Sequence, residues 1–398
     1  MKKESLSLYI EINNFNLIFF AGATEDKNNF KTVLKLVIPL IGISDNRVSD
    51  FEKILNTIKE NIYIIEKKLN FTFREIILIL DNFNPTFINL CGFKKLNGSQ
   101  ILRENITYII NNLKSFVNKI YPDQVILHIF NSKFLLDKKK IENLPIGLFG
   151  DFYAHELSFS LINENNFKNL KYIFENCNLK LKKIFLKSFL KGAFLSNHNN
   201  KTDTFCQINI NNSNTKIFYF ENNSLKFEQN FKFGNDIILK DISKITSLKT
   251  EFIKKFLVKT ELKQNFTNED LIEEEFFEGY TFRKIKKKLI YEIAFARIKE
   301  ISDLILFNNV NINYYNKNLK FLFLEISSKY HLKGLREIYK TIFSQNGSIN
   351  LEFLEDFSSD KMLITANQIV HFGWKKEAIP VTHSKKSIIA RLFDTLFN

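Results

Sequence analysis

The chain has 398 residues, and a prior of about 150 residues per domain gives it two or three domains. With 45% hydrophobic and 25% charged residues, the composition excludes a disordered chain. The three cysteines (Cys91, Cys177 and Cys206) are scattered, which excludes a disulfide scaffold and favours a reducing compartment. The net charge of +14 is compatible with binding to nucleic acid or to an anionic membrane. Only seven of the 57 basic residues are Arg, however, and Arg is the side chain that recognises phosphates and bases. We therefore predict no nucleic-acid partner.

Several classes of site have no motif in this sequence. Glycine is scarce, with 12 residues, and neither GxxxxGK[ST] nor GxGxxG occurs. The six histidines are dispersed and no serine lies in GxSxG, so we predict no metal site and no catalytic nucleophile. We see no secretory leader and no apolar run of about 18 residues, and we therefore expect a cytoplasmic chain.

The first 80 residues carry strand patterns and one helix pattern. Alternating or continuous apolar residues predict strands over 6–12, 17–21, 32–38 and 75–80. Helical spacing of apolar residues predicts a helix over 49–69 with Ser49 as its cap.

Residues 83–162 are predicted to form a separate unit. Within it we predict a helix over 102–120, a strand over 125–130, a rigid turn over 144–150 and a strand over 154–162. A helix over 166–176, a strand over 179–185 and a helix over 187–195 follow this unit.

The pattern of the opening returns near Thr204. Strands are predicted over 205–210, 215–220 and 224–231, and the Asn211-Asn212 turn echoes the Asn13-Asn14 turn. The remaining predicted elements are helices over 236–243, 250–258, 280–306, 332–343 and 360–372 and strands over 318–326 and 349–353. A duplicated α/β protein with a ligand cleft between its halves follows.

Six stretches in the same order and spacing resemble the FtsA family of actin-like bacterial cell-division proteins. They are the strand Val125 to Phe130, Glu142 to Gly150, Asn169 to Ile184, Asn230 to Ile242, Thr250 to Lys254 and Leu363 to Gly373. The resemblance implies an actin-like duplicated two-domain α/β fold with an inserted small α+β (SHS2-type) subdomain and a C-terminal amphipathic helix.

The resemblance also divides the chain. It implies a first actin-like subdomain over 1–82 and 163–203, the inserted subdomain over 83–162, a second actin-like core over 204–243 and 318–373, and an outer subdomain over 244–317. A linker over 374–384 and a membrane helix over 385–398 complete the prediction.

The nucleotide-binding positions of the family have changed here. The first phosphate hairpin of the family falls on Glu11, Asn13 and Asn14, and the second falls on Asn209, Asn211 and Asn212, where Asn209 replaces the metal-side Asp. The resemblance adds Gly234, Glu251 (a ribose contact), Lys254, Ser327 and Ser328 as nucleotide-binding positions. Because the hairpins lack glycine and that carboxylate, the sequence predicts weakened binding of ATP and Mg²⁺ and no hydrolysis.

The C-terminal stretch has an apolar stripe at helical spacing with basic residues beside it. The predicted membrane-binding residues are Lys385, Lys386, Ile388, Ile389, Arg391, Leu392, Phe393, Leu396 and Phe397. They predict a helix that lies on anionic lipid.

These features favour a non-catalytic adaptor. By resemblance, it tethers the FtsZ ring to the cytoplasmic face of the inner membrane at the division site, associates into filaments and helps recruit downstream divisome proteins. The alternatives are an ATPase with a degenerate cleft and the related actin-like adaptor of type IV pilus assembly.

Overall fold

The computed structural model describes residues 6–26, 29–44, 47–81, 83–198, 202–277, 281–315, 319–327, 333–344, 349–355 and 357–378. The chain divides into two compact units. The first unit is formed within Met1–Pro85 and Leu170–Phe372, and the second within Thr86–Asn169 and from Gly373 onwards.

The first unit begins with one mixed sheet and its helices. Its elements are β1 (Leu6–Ile12), β2 (Asn16–Asp26), β3 (Asn29–Pro39), the short strands β4 (Ile43–Ser44) and β5 (Arg47–Val48), α1 (Phe51–Leu69) and β6 (Glu75–Leu80). The second unit contributes β7 (Thr86–Lys95), α2 (Arg103–Ile120), β8 (Gln124–Leu136), β9 (Lys139–Ile141) and β10 (Phe152–Asn163). Then follow α3 (Glu164–Asn176), β11 (Lys180–Leu186) and α4 (Lys187–His198).

The rest of the first unit repeats this plan. Its strands are β12 (Phe205–Ile210), β13 (Thr215–Glu221), β14 (Ser224–Phe231), β15 (Phe321–Ile326) and β16 (Asn350–Phe353). Its helices are α5 (Asp236–Thr246), α6 (Thr250–Lys259), α7 (Lys287–Ser302), α8 (Val310–Tyr315), α9 (Leu335–Phe343) and α10 (Ser359–Phe372), with a 3₁₀ turn over Glu274–Phe277 and a π turn over Asp303–Phe307.

Two five-stranded sheets in the first unit share one topology. Their strand orders are β11-β6-β1-β2-β3 and β14-β13-β12-β15-β16. In each sheet, three sequential strands pair antiparallel, and the first of them also pairs in parallel with a later strand. We call the part of this unit up to residue 198 the first half and the part from residue 202 the second half. The matching orders confirm a duplicated α/β fold.

The central elements follow from their residue patterns. In β6, five consecutive apolar residues are buried, as a parallel strand covered on both faces requires. In α1, Ile54, Ile58, Ile62 and Ile65 form the buried stripe. The predicted cap Ser49 was wrong: the side chain of Asp50 accepts a hydrogen bond from the amide of Lys53 at 3.1 Å, while the Ser49 amide bonds to Gly42.

The helix predicted over 280–306 is shorter in the structure. The backbone of Ile285 and Lys287 pairs with Ile272 and Asp270 at 2.9 and 2.8 Å, so α7 begins only at Lys287. After Ser302 the helix continues as the π turn.

The second unit is a four-stranded sheet, β7-β10-β8-β9, with α2 packed on one face. Ile109 and Val117 of α2 meet Leu157 and Phe159 of β10 in its core. A Cβ at Gly92 of β7 would lie 2.6 Å from Ile109, so glycine allows the close approach of this strand and helix. Strand β7 was not predicted.

Residues 374–378, predicted as part of a linker, are packed within the second unit. The amide of Asn131 donates to Lys376 at 2.6 Å, and the amide of Ala378 donates to Ile129 at 2.7 Å, which covers part of the edge of β8. Trp374 and Ala378 are buried. The backbone pairing explains the difference from a free linker.

His155, in the core of the second unit, gives this unit a pH-dependent stability. Burial, with a smaller effect of Lys376, lowers the pKa of His155 to about 3, and its Nε2 lies 2.9 Å from Oδ1 of Asn131. The unfolded chain therefore binds an extra proton below about pH 6.5, and stability falls as the pH falls towards 3.

We expect the free energy of unfolding to fall between about pH 6 and pH 4.5 by about 2 kcal/mol more in the wild type than in His155→Gln, measured by urea unfolding. The exposed His371→Gln is the control and should keep the wild-type slope. Equal slopes in all three proteins would contradict this origin.

Candidate functional site

The turn of the β1–β2 hairpin uses its own backbone amides. Oδ1 of Asn13 accepts hydrogen bonds from the amides of Phe15 and Asn16 at 3.0 and 2.8 Å. Asn14 is exposed at the tip of the turn. The amides of Phe15 and Asn16, which would face a bound phosphate, are therefore already bonded within the turn.

The β12–β13 hairpin is covered by the loop before α5. The carbonyls of Asn211 and Asn212 accept hydrogen bonds from the amides of Asn235 and Asp236 at 2.9 and 2.8 Å. A Cβ at Gly234 would lie 2.1 Å from the carbonyl oxygen of Asn211, so only glycine allows this approach. The structure thus brings together the predicted residues Asn211, Asn212 and Gly234.

Buried ion pairs connect the two halves beside these hairpins. We call this group the interhalf network, and it consists of Glu11, Asp81, Lys187, Lys191, Lys216, Glu228 and Glu325. Sequence reasoning selected only Glu11 from this group. Lys191 in the apolar stretch of α4 could have indicated this group from the sequence, because a lysine on a buried helix face requires a partner of opposite charge.

Lys187 and Lys216 share the carboxylate of Asp81, which follows β6. Nζ of Lys187 lies 2.7 Å from Oε1 of Glu11 and 3.3 Å from Oδ2 of Asp81. Nζ of Lys216, in the second half, lies 2.5 Å from Oδ1 of Asp81 and 3.1 Å from Oε1 of Glu228. Asp81 therefore joins one lysine of each half.

Two further contacts cross between the halves. The hydroxyl of Ser188 donates to Oε2 of Glu228 at 2.5 Å. Lys191 forms an ion pair with Glu325, and both side chains are buried. Nδ2 of Asn209 donates to the other oxygen of Glu325 at 3.2 Å, so the predicted metal-side position supplies an amide to this group.

The network favours the charged forms of Asp81, Lys187 and Lys216. Burial raises the pKa of Asp81, but Lys216 and Lys187 outweigh it and hold this pKa below its ordinary value. Burial lowers the pKa values of Lys187 and Lys216, but Asp81 and their second carboxylates raise both above the ordinary value. For Lys191 burial prevails, and its pKa is lowered despite Glu325. The contributions of Asp81, Lys187 and Lys216 to stability are present from about pH 4 to pH 10.5 and are lost outside that range.

The remaining predicted residues lie elsewhere or outside the described residues. The amide of Ser327 bonds to Ile210 at 2.9 Å. Glu251 is exposed, and with Lys254 it lines a groove of about 500 Å³ between α6 and the 3₁₀ turn, whose lining includes no member of the interhalf network. Ser328 and the membrane-binding residues from Lys385 to Phe397 lie outside the described residues.

The residues present do not fit Mg–ATP, the ligand that the resemblance implies. The first hairpin has bonded its amides internally, Asn209 faces Glu325 with an amide, and Glu11 is paired with an ammonium group. Among the described residues, no three His, Cys, Asp or Glu side chains are grouped as a metal site requires. None of the helices in the described ranges is long and apolar enough to cross a bilayer.

Gly234→Ala tests the packing of the loop on the second hairpin. The new Cβ meets backbone atoms that cannot rotate away, so we expect a loss of about 1–3 kcal/mol in the free energy of unfolding, measured by urea titration. Ser213→Ala, at an exposed position of the same hairpin, should change it by less than about 0.5 kcal/mol. A neutral Gly234→Ala variant would contradict the close approach.

Comparison with known proteins identifies relatives along the whole chain. A protein named Cell division protein FtsA from Buchnera aphidicola subsp. Schizaphis graminum is 21% identical over 418 aligned positions, which cover 100% of this chain and 98% of that protein. A second one of that name, from Buchnera aphidicola subsp. Acyrthosiphon pisum, is 20% identical over 242 positions, 61% of this chain and 57% of that protein. No protein-family model matches the chain.

A solved structure of the PilM-PilN type IV pilus biogenesis complex superposes on the chain with a TM-score of 0.50. It is 11% identical and covers 93% of this chain and 96% of that chain, and such a likeness concerns the fold alone. Together, these findings confirm the resemblance inferred from the motifs: the chain has an actin-like α/β fold and is similar along its whole length to a protein named Cell division protein FtsA.

Proposed function

We propose that this chain is a non-catalytic, actin-like adaptor of cell division. It tethers the FtsZ ring to the cytoplasmic face of the inner membrane at the division site and helps recruit downstream divisome proteins. The observation that carries the proposal is the similarity to FtsA proteins over the full length of the chain. The second unit corresponds in this proposal to the inserted SHS2-type subdomain.

The adaptor requires a connection to lipid, and residues 385–398 are the proposed anchor. Their six large apolar side chains can enter the interface, and Lys385, Lys386 and Arg391 add about 1 kcal/mol each near anionic lipid. One such helix binds reversibly, so firm attachment depends on several copies along a filament.

We expect Phe393→Glu to release the chain from anionic vesicles, because it places a charge within the apolar stripe. Co-sedimentation with vesicles measures this, and co-sedimentation with FtsZ polymers should be unchanged. Asn398→Glu adds the same charge on the face opposite the apolar stripe and is the matched control, which should retain most vesicle binding. Undiminished sedimentation of Phe393→Glu would refute the anchor.

The adaptor proposal also requires no ATP turnover. We expect ATP to bind at least about 10-fold more weakly than to relatives with glycine in both hairpins, a loss of about 1.4 kcal/mol, without steady phosphate release. Calorimetric titration and a phosphate-release assay measure these quantities. Steady release that disappears in Glu11→Gln or Glu251→Gln would support the ATPase alternative instead.

The pilus-assembly adaptor is the second candidate, favoured by the fold shared with the PilM-PilN complex. The amphipathic C-terminal stretch argues for the division adaptor, because the pilus family does not typically end in one. A fluorescent fusion separates the two functions: a midcell band supports the division adaptor, and envelope foci away from midcell support the pilus adaptor.

A further inference from the structure

The interhalf network lies where the two hairpins of the duplicated fold approach each other. Glu11 belongs to the first hairpin strand, β1, and Lys216 belongs to β13 of the second hairpin. We propose that this network takes the place of a magnesium–nucleotide complex, so that lysine side chains join the two halves in the ligand-free protein.

The Lys187 ammonium group lies between two carboxylates of the first half. It lies within 3.3 Å of carboxylate oxygens from Glu11 and Asp81, which come from neighbouring parallel strands β1 and β6. Two carboxylates that converge from adjacent strand ends are the oxygen ligands that a divalent cation prefers. Here a cation from the chain itself neutralises them, at the first residue of α4.

Side-chain contacts of the network bridge the two halves. Lys216 to Asp81, Ser188 to Glu228 and Lys191 to Glu325 each join a residue before 198 to a residue after 202. Members of the network range from half-buried to fully buried, so their attraction is screened by water less than that of a surface pair. A side-chain connection of this kind needs no phosphate between the hairpins.

The same lysines could instead be phosphate ligands, and the contacts argue against this. Each of the three ammonium groups already pairs with a carboxylate, and the network holds four carboxylates against three ammonium groups. A triphosphate would add negative charge to the interhalf network, in which the carboxylates already outnumber the ammonium groups. It would also have to displace Asn13 from the amides of the first hairpin.

Thermal unfolding of the full chain with and without Mg–ATP separates these two roles. We expect a wild-type Tm that about 1 mM Mg–ATP does not change, whereas a ligand with a Kd of about 10 μM would raise it by several degrees. Without nucleotide, Lys216→Met and Lys191→Met should each lower the Tm by about 5 °C, because each leaves a buried carboxylate unpaired. Hydrogen exchange of the hairpin amides of residues 12–16 and 210–214 should become faster in both variants.

Lys182→Met is the matched control, since Lys182 pairs with Glu75 at 3.1 Å on the surface of the first half. It should change the Tm by less than about 1 °C. Nucleotide stabilisation of the wild type that disappears in Lys216→Met, with no loss of Tm in the absence of nucleotide, would overturn the proposal in favour of phosphate-binding lysines.

A double variant keeps the test decisive if a single variant does not fold. Lys191→Met with Glu325→Gln removes both charges of one pair, so we expect it to lose less Tm than the sum of the two single variants. If Lys191→Met does not fold, recovery of folded protein in the double variant supports the pairing. A double variant no more stable than the sum, or no better folded than Lys191→Met, overturns it.

Discussion

Burying an ammonium group in a protein costs several kcal/mol unless a carboxylate compensates its charge, and the two halves of the first unit meet under this constraint. Lys191 satisfies it through Glu325 of the other half, and Lys216, which also pairs with Glu228 of its own half, gains Asp81 of the other half. Separating the halves would leave charges unpaired on both sides of the interface. The network therefore specifies one arrangement of the halves, which apolar packing alone specifies less sharply.

The apolar contacts beside the network favour the same arrangement. A Cβ at Gly192 of α4 would lie 2.1 Å from the ring of Phe220 in β13, so the helix of the first half packs closely on a strand of the second. In α10, Oδ1 of Asn367 accepts hydrogen bonds at 3.1 Å from the hydroxyls of Tyr9 and Thr24 in the first sheet. Ion pairs, close packing and a buried amide thus all restrict how the halves move against each other.

The local sequence pattern predicted the strands and helices that depend on residues nearby in sequence. It missed the strand and the ion pairs that depend on residues far away in sequence. The buried strand β6 and the stripe of α1 follow from their periodicity, and the repeated opening anticipated the duplicated sheets. Strand β7 was not predicted because Gly92 and the consecutive lysines Lys94 and Lys95 interrupt its apolar pattern. In the folded chain, the sheet and α2 stabilise this strand. Glu11, one partner of Lys187, lies 176 residues away in sequence, and Glu325, the partner of Lys191, lies 134 residues away. Only the folded chain therefore shows that these lysines are paired.

The scarcity of glycine had different consequences in different turns. Within the described ranges, six asparagines, including Asn70 and Asn178, adopt the left-handed conformation that glycine usually provides, a role that asparagine performs at modest cost. In the second hairpin, Asn209, where the resemblance implies an aspartate, suits the interface between the halves. An aspartate at position 209 would place a second carboxylate about 3 Å from Glu325, with Lys191 as the nearby compensating charge. Like charges at that distance disfavour ionisation of the two carboxyl groups. The amide of Asn209 donates to Glu325 instead, so the interhalf network favours an amide over a carboxylate at this position.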